Sequence, residues 1–144
     1  MMTKKTELDR SAIMRSVKSE DTEPEMAVRR LAHRLGYRFR LHRKSLPGTP
    51  DLVFPRLRKV VFVHGCFWHG HKCTRGDRTP KSNRDYWVAK IARNRERDQR
   101  NRALLHDQGW DVFIAWECRV KSAQFKDELR AYLATPNDAG KRSN

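Results

Sequence analysis

Five side chains with metal-binding potential fall within ten residues of this 144-residue chain. They are His64, Cys66, His69, His71 and Cys73, and the remaining cysteine is Cys118. Four thiolate and imidazole ligands form closed structural zinc sites, which leave no coordination position for water. The segment therefore predicts a loop held by zinc, with Cys118 as a distant ligand, rather than inert thiols beside incidental histidines. The spacing leaves open whether His69 or His71 is the histidine ligand.

A carboxylate precedes this segment. Asp51 opens a short β-branched and aromatic run, and a second run over 59–63 leads into His64. In a hairpin the start of one strand lies beside the end of the next, so we expect Asp51 and His64 to be neighbours. Such a carboxylate can hold Mg²⁺ for phosphate chemistry, and histidine can act as general base. The alternative for Asp51 alone is a residue that caps a turn.

The positive charge is concentrated in two blocks. The chain has 32 Lys and Arg against 17 Asp and Glu, a net charge of +15. Residues 28–59 hold 10 basic side chains and one acid, Asp51, and residues 75–106 hold 10 basic side chains and 4 acids. Blocks of this kind neutralise nucleic-acid phosphates, although a merely solubilising surface is the simpler alternative.

The elements that must position these groups follow from periodicity. Thr22 and Glu25 form a capping-box pattern before a helix over 23–35, and Tyr37, Phe39 and Leu41 alternate as a strand. A hairpin over 51–54 and 59–63, a basic helix over 84–107 and a strand over 110–116 follow. Trp110 and Trp116 are predicted to be core residues of that strand. A last helix carries Phe125, Leu129 and Leu133 on one face.

This order predicts an α/β fold with a central mixed β-sheet flanked by helices. We expect one domain over 21–135, an N-terminal arm over 1–20 that contacts DNA, and a disordered tail over 136–144. The longest apolar run, 60–63, is far shorter than a membrane span, and the first residues lack the apolar stretch of a secretion signal. These features predict a cytoplasmic protein with no membrane contact.

Several strings in the chain resemble the very short patch repair (Vsr) mismatch endonucleases. They are His64-Gly65-Cys66-Phe67-Trp68-His69-Gly70-His71-Lys72-Cys73, Pro50-Asp51, the stretch from Tyr86-Trp87 to Asp98, and Trp116-Glu117-Cys118. The similarity runs from about Ser11 to Cys118. It implies a restriction-endonuclease-like fold with a structural zinc loop. It also implies an enzyme that nicks one DNA strand beside the thymine of a T:G mismatch, the product of 5-methylcytosine deamination, and so starts very short patch repair.

The resemblance also implies roles for individual residues. Asp51 is the Mg²⁺ ligand together with the backbone carbonyl of Val63, where members of the family carry threonine. His69 is the general base, with Glu25 and His64 in support. The structural zinc ligands are Cys66, His71, Cys73 and Cys118. The segment between Cys73 and Trp87 is a residue longer than in the family.

Aromatic and basic residues complete the predicted DNA-binding surface. Phe67 and Trp68 stand between metal ligands, and the resemblance makes them, with Trp87, wedges that intercalate at the mismatch. The alternative is a small cluster that packs around the loop. On the basic helix, Arg93, Asn94 and Arg97 are predicted DNA contacts. The alternative there is a solvated helical face.

The expected partner is double-stranded DNA with a T:G mismatch. Mismatch-repair proteins and a repair polymerase are further expected partners of a monomer that sits in the bacterial cytoplasm and associates with the nucleoid through DNA. Two other functions fit the same residues: a restriction-like endonuclease that cuts matched DNA, and a non-catalytic zinc-containing DNA-binding module.

Overall fold

The computed structural model describes residues 22–71, 73 and 82–137. Its elements, in chain order, are α1 (Glu23–Arg34), β1 (Arg40–Leu41), β2 (Leu52–Phe54), β3 (Lys59–His64), α2 (Arg84–Asp107), β4 (Asp111–Trp116), α3 (Glu117–Val120) and α4 (Phe125–Ala134). The predicted mixed sheet flanked by helices is confirmed. The predicted arm over 1–20 lies outside the described residues, as does the predicted tail from 138 onward. None of the described helices combines the length and apolarity that a membrane crossing requires.

The four strands form one sheet in the order β1-β2-β3-β4. The predicted hairpin is confirmed, because β2 and β3 pair antiparallel with Phe54 opposite Lys59. β4 pairs parallel with β3, and His64 lies opposite Trp116 at the last position of both strands. A parallel pair needs a long crossover, and the segment that contains α2 supplies it. Both strands therefore end at the same edge of the sheet, where the chain delivers its histidines.

Alternation along the strands divides the core between the two faces of the sheet. One face packs against α1 and α4 through ten buried side chains: Val28, Leu31, Ala32, Leu52, Phe54, Val61, Ala115, Phe125, Leu129 and Leu133. The other face buries Leu46, Val53, Val60, Phe62, Leu105 and Trp110. Leu105 is the one buried residue that α2 supplies among those described. The greater part of this helix is therefore open to solvent and to ligands.

Some local predictions were wrong. The Thr22 side chain makes no capping hydrogen bond, and Glu25 pairs instead with Arg29 and His42. The carboxylate has been drawn into a tertiary contact that the capping pattern does not foresee. Trp110 is 3% exposed as predicted. Trp116, however, is half-buried and stacks on His71 at a centroid distance of 4.2 Å, so it belongs to the site rather than to either core.

The predicted first strand is shorter than expected, since only Arg40 and Leu41 pair with β2. Tyr37 and Phe39 still pack against the α1 side of the core, as the alternation predicts. Leu41 pairs with β2 but is exposed, so the alternation was wrong at that position. Asn137, in the predicted tail, donates hydrogen bonds to the carbonyls of Arg58 and Gly109 at 2.5 and 3.2 Å.

Candidate active site

Two carboxylates and a histidine meet where α1 approaches the start of β2. We call Glu25, His42 and Asp51 the acidic cluster, and their potential ligand atoms lie within 4.8 Å of one another. His42 Nε2 is 3.0 Å from Glu25 Oε1 and 3.9 Å from Asp51 Oδ1. Asp51 Oδ2 accepts a hydrogen bond of 2.7 Å from the backbone N–H of Val63. Helix, strand and sheet amide together fix the orientation of both carboxylates.

The acidic cluster is costly without a cation. Burial and the adjacent Glu25 carboxyl raise the pKa of Asp51 to about 7, and the hydrogen bond from the Val63 amide opposes the shift. Arg29 forms an ion pair with Glu25, but the pair of carboxylates remains close together. Adjacent oxygen ligands of this kind fit Mg²⁺ or a similar divalent ion, whose charge offsets both the burial and the repulsion.

A second group, the histidine cluster, consists of His64, His69 and Asp98. The rings of His64 and His69 stack with centroids 3.7 Å apart and planes inclined by 4°. His69 Nδ1 lies 2.5 Å from Asp98 Oδ2, which orients the ring from α2. When Nδ1 donates its proton to this carboxylate, Nε2 of a neutral ring is left as an acceptor. The cluster can therefore take a proton at Nε2 of His69.

The charges of the histidine cluster are held in place by its contacts. Burial acts to raise the pKa of Asp98, but the hydrogen bond from His69 and the neighbouring positive charges outweigh it and lower the pKa. Burial lowers the pKa of His64 to about 3. His64 is 6% exposed, and its Nδ1 has no hydrogen-bond partner among the described residues. A neutral His64 thus stacks against His69 without competing for its proton.

The structure brings together the four ligands that the resemblance implies for zinc. Cys66, His71, Cys73 and Cys118 place their ligand atoms within 4.8 Å of one another, whereas His69 belongs to the histidine cluster. Cys118 Sγ lies 3.5 Å from His71 Nδ1. Burial, reinforced by the neighbouring thiols, raises the pKa of Cys66 to about 12. A bound metal would reverse this shift, because thiolates are the form that coordinates.

The three predicted wedge residues contact one another. Phe67, Trp68 and Trp87 make edge-to-face contacts with centroids 5.1–5.7 Å apart. Lys90 Nζ lies 5.6 Å from the centroid of the Trp68 ring. The alternative of a small packed cluster therefore describes these side chains in the protein without DNA. Phe67 and Trp68 also line a large cleft of the protein.

The three predicted DNA contacts on α2 differ in their surroundings. Asn94 Nδ2 donates a hydrogen bond of 2.8 Å to the carbonyl of Trp68, and Arg97 donates one of 3.1 Å to Asn94 Oδ1. Asn94 and Arg97 line the cleft. Arg93 is exposed and lies outside that lining. Asn94 thus holds the loop that carries Phe67 and Trp68, and it also lines the cleft.

One cleft of about 1310 Å³ contains members of both clusters. Its lining includes Glu25 and Asp51 of the acidic cluster and all three residues of the histidine cluster. The carboxylates in its lining are Glu23, Glu25, Asp51, Asp98 and Glu117, and the cations are Lys90, Arg97 and Arg102. Five acids against three cations is the reverse of the balance in the whole chain, which carries +15. The interior of the cleft attracts cations, whereas the protein around it attracts polyanions.

Sequence reasoning missed two members of these clusters. The alternation of the predicted first strand puts His42 on its polar side, but the chain leaves β1 at Leu41 and turns at His42 with a positive φ of 47°. Asp98 was noted only as the end of a motif. A usable signal existed for Asp98, because Lys90, Asn94 and Asp98 recur every four residues and share the cleft-lining face of α2.

A mixed α/β sheet with paired carboxylates and a carboxylate-bound histidine in one cleft is the arrangement expected of an α/β nuclease. The chain belongs to the Vsr family, because the family model described as DNA mismatch endonuclease Vsr matches residues 2–75. Family membership implies a restriction-endonuclease-like fold, endonuclease activity and a DNA substrate.

Curated relatives agree with this assignment. The chain is 59% identical over 111 residues to the type II nicking enzyme V.XorIIP of Xanthomonas oryzae, covering 77% of this chain and 81% of the relative. It is 43% identical over 131 residues to the type II nicking enzyme V.NmeAIP of Neisseria meningitidis, with 90% and 93% covered. It is 40% identical over 115 residues to the DNA mismatch endonuclease Vsr of Escherichia coli, with 80% and 73% covered.

Proposed function

We propose that this protein nicks one strand of duplex DNA beside the thymine of a T:G mismatch and so starts very short patch repair. The observation that carries the proposal is the shared cleft, in which a paired carboxylate site and a carboxylate-oriented histidine line the same space. Family membership supports the endonuclease, and the names of the nicking relatives support cleavage of one strand.

The acidic cluster is the proposed site of the catalytic Mg²⁺. Asp51 Oδ1 and the carbonyl of Val63 would hold the ion, with Glu25 beside it, and the acid-rich lining of the cleft supports a divalent cation there. When bound, Mg²⁺ supplies a Lewis acid that polarises the scissile phosphate and lowers the pKa of a coordinated water. The Val63 N–H keeps Asp51 oriented throughout by its hydrogen bond to Oδ2.

The histidine cluster supplies the proposed general base. His69 Nε2 accepts the proton of the attacking water while Asp98 holds Nδ1 and stabilises the imidazolium that results. The stacked His64 ring restricts rotation of His69, and its own low pKa keeps it uncharged beside the new cation. As water bonds to phosphorus, the bond from phosphorus to the leaving sugar oxygen breaks.

The four residues of the predicted zinc loop are the proposed structural zinc site. In a tetrahedral site the sulfur and nitrogen ligands lie about 3.5 Å apart, and the separation of Cys118 Sγ from His71 Nδ1 is 3.5 Å. Trp116 stacks on His71 and also contacts the ring of His64 edge-on at 5.3 Å. Zinc would therefore stabilise the loop that carries His69.

Recognition is assigned to the aromatic cluster and to α2. Phe67, Trp68 and Trp87 would separate to enter the base stack, and a mismatched step is the cheapest place for that. Arg93, Asn94 and Arg97 would contact the DNA, together with the N-terminal arm. We further propose a monomer in the bacterial cytoplasm, with mismatch-repair proteins and a repair polymerase acting after the nick.

A nicking assay on T:G, other mismatched and fully matched duplexes, with and without Mg²⁺, tests this function. We expect one strand to be cut at T:G only, and only with the divalent ion. Cleavage of matched duplex at a similar rate would support the restriction-like alternative. Tight binding with no scission in any divalent ion would support the DNA-binding module and overturn the proposal.

A further inference from the structure

His42 stands in the acidic cluster with no role in the function proposed above. Its ring is 13% exposed, and Nε2 faces Glu25 Oε1 at 3.0 Å and Asp51 Oδ1 at 3.9 Å. The residue follows β1, where its backbone N–H donates to the carbonyl of Asp51. Backbone and side chain are thus tied to the same carboxylate residue.

The two carboxylates are anchored in matching ways. Arg29 pairs with Oε2 of Glu25, and the Val63 N–H donates to Oδ2 of Asp51. The second oxygen of each carboxylate, Oε1 or Oδ1, is the atom nearer to the His42 ring. Such outer contacts are how proteins orient the ligands of a metal.

The spacing of the three converging atoms fits a six-coordinate ion. With metal–ligand distances of about 2.1–2.2 Å, adjacent ligands of an octahedron lie about 3.0 Å apart and opposite ligands about 4.3 Å apart. The 3.0 Å between His42 Nε2 and Glu25 Oε1 matches adjacent ligands, and the 3.9 Å to Asp51 Oδ1 lies between the two values. The three residues offer ligand atoms within 4.8 Å of one another, and Arg29 Nη2 lies 3.5 Å from the same His42 nitrogen. Two oxygens and one imidazole nitrogen form a mixed ligand set.

We propose that His42 is a direct ligand of the divalent ion in the acidic cluster and makes the site favour first-row transition ions, such as Mn²⁺, over Mg²⁺. The inference rests on the proposed function in one respect, the binding of a metal by Asp51. Mg²⁺ exchanges its water for nitrogen ligands reluctantly, whereas transition ions gain affinity from imidazole. His42 therefore raises Mn²⁺ affinity and leaves Mg²⁺ affinity nearly unchanged.

Mn²⁺ binding to the full-length, zinc-loaded protein tests this ligand. Mn²⁺ is a suitable probe because it is hard and avoids thiolates. Free Mn²⁺ is followed by electron paramagnetic resonance, and nitrogen coordination by the ¹⁴N modulation of the electron spin echo. We expect one directly bound nitrogen in the wild type. His42→Ala should remove it and weaken Mn²⁺ binding about tenfold, which is about 1.4 kcal/mol. Mg²⁺ affinity, measured by competition, should change less than about threefold.

Three variants make the result specific. His33→Gln removes an exposed histidine of α1 and should change neither the ¹⁴N signal nor the affinity. His42→Gln keeps a polar partner for Glu25 but lacks the ring nitrogen, so it should also lose the ¹⁴N signal. His69→Gln should keep it. Circular dichroism of each variant verifies the fold, and if one His42 variant does not fold, the other carries the comparison.

The outcomes separate this inference from the proposed function. A ¹⁴N signal that survives in the His42 variants and vanishes in His69→Gln would assign the ion to the histidine cluster and overturn the inference. A wild type with bound Mn²⁺ and no nitrogen coupling would overturn it as well. Either result leaves Asp51 as a metal ligand. If Asp51→Asn binds Mn²⁺ as tightly as the wild type, both the inference about His42 and the metal site of the proposed function are overturned.

Discussion

The acidic and histidine clusters line one cleft but depend on different parts of the fold. Glu25 belongs to α1 and Asp51 directly precedes β2, where the amide of Val63 in β3 holds it. His69 instead lies in the loop that also carries three of the four cysteine and histidine ligands of the proposed zinc site. The sheet and its helices thus position the acids, whereas the proposed base lies in a loop that carries the proposed zinc site.

The clusters also differ in how they treat charge. In the acidic cluster burial and the neighbouring Glu25 raise the pKa of Asp51, so charge there is costly until a cation arrives. In the histidine cluster the hydrogen bond to His69 lowers the pKa of Asp98 against the effect of burial. The proposed metal site is thus uncharged at lowest cost until a cation binds, whereas the histidine cluster holds a carboxylate whose negative charge its contacts already stabilise.

The largest effect is expected at Asp51. Asp51→Asn retains an oxygen that can accept from Val63 but removes the charge that binds the ion, so nicking should fall by about 10³-fold or more. The metal-free variant should also be more stable than wild type by roughly 2 kcal/mol at pH 8, because the costly buried carboxylate is gone. Single-turnover nicking and denaturant unfolding in chelator measure the two effects.

The pH dependence of that stability gain provides a control. Between about pH 4 and 7 folded Asp51 keeps a proton that the unfolded chain has lost, so its contribution is complete below about pH 4 and disappears as the pH rises through 7. Neutral His64 has the opposite effect, and stability rises with pH between about 3 and 6.5. The difference in unfolding free energy between wild type and Asp51→Asn isolates the contribution of Asp51. Equal stability of wild type and Asp51→Asn at pH 8 would contradict the cost assigned to Asp51. The control variant is Asp127→Asn, which changes an exposed carboxylate.

The next largest effect is expected in the histidine cluster. His69→Gln should lower the nicking rate about 10²- to 10³-fold, and Asp98→Asn about 10- to 10²-fold, because the first removes the base and the second its orientation. Mn²⁺ affinity should stay unchanged in both. The pH profile of single-turnover nicking should shift in Asp98→Asn, since the imidazolium loses its counter-charge. An unshifted profile would reduce Asp98 to a structural residue.

A smaller loss of activity should follow damage to the zinc loop. Cys118→Ser should lower bound zinc well below one ion per chain and slow nicking about tenfold, through disorder of the loop that carries His69. Mn²⁺ binding to the acidic cluster serves as the internal control and should remain within about twofold, because α1 and the sheet position that cluster. If Cys118→Ser loses both nicking and Mn²⁺ binding, the acidic cluster and the zinc loop are not independent of each other.

The smallest effect is expected where Asn94 of α2 holds the loop that carries Phe67 and Trp68. Asn94→Ala removes the hydrogen bond to the Trp68 carbonyl and should reduce the preference for T:G over matched duplex by about fivefold, the equivalent of one hydrogen bond. Arg93→Ala is the matched comparison, since an exposed phosphate contact should weaken both duplexes alike and reduce the salt dependence. If Asn94→Ala, like Arg93→Ala, weakens nicking of T:G and matched duplex equally, the anchoring role of Asn94 is contradicted.

Much of the fold could be predicted because it depends on local periodicity. The basic helix over 84–107 and the hairpin of β2 and β3 occur where the sequence predicts them. The capping interpretation of Glu25 failed, since a short-range pattern cannot show that Arg29 and His42 compete for the same carboxylate. The prediction of Trp116 as a core residue was wrong, because alternation along a strand does not show which neighbours cover the ring.

The sequence by itself determined the family, the mixed α/β architecture, the basic surface and the ligand-rich loop, since each depends on residue types at fixed spacing. Only the tertiary structure decided which ligands share a site. It separated His69 from His71, joined Asp98 to His69 across 29 residues, and brought His42 between two carboxylates. These choices depend on side-chain directions at the edge of a twisted sheet, where positions distant in the chain converge, and spacing along the sequence carries no record of them.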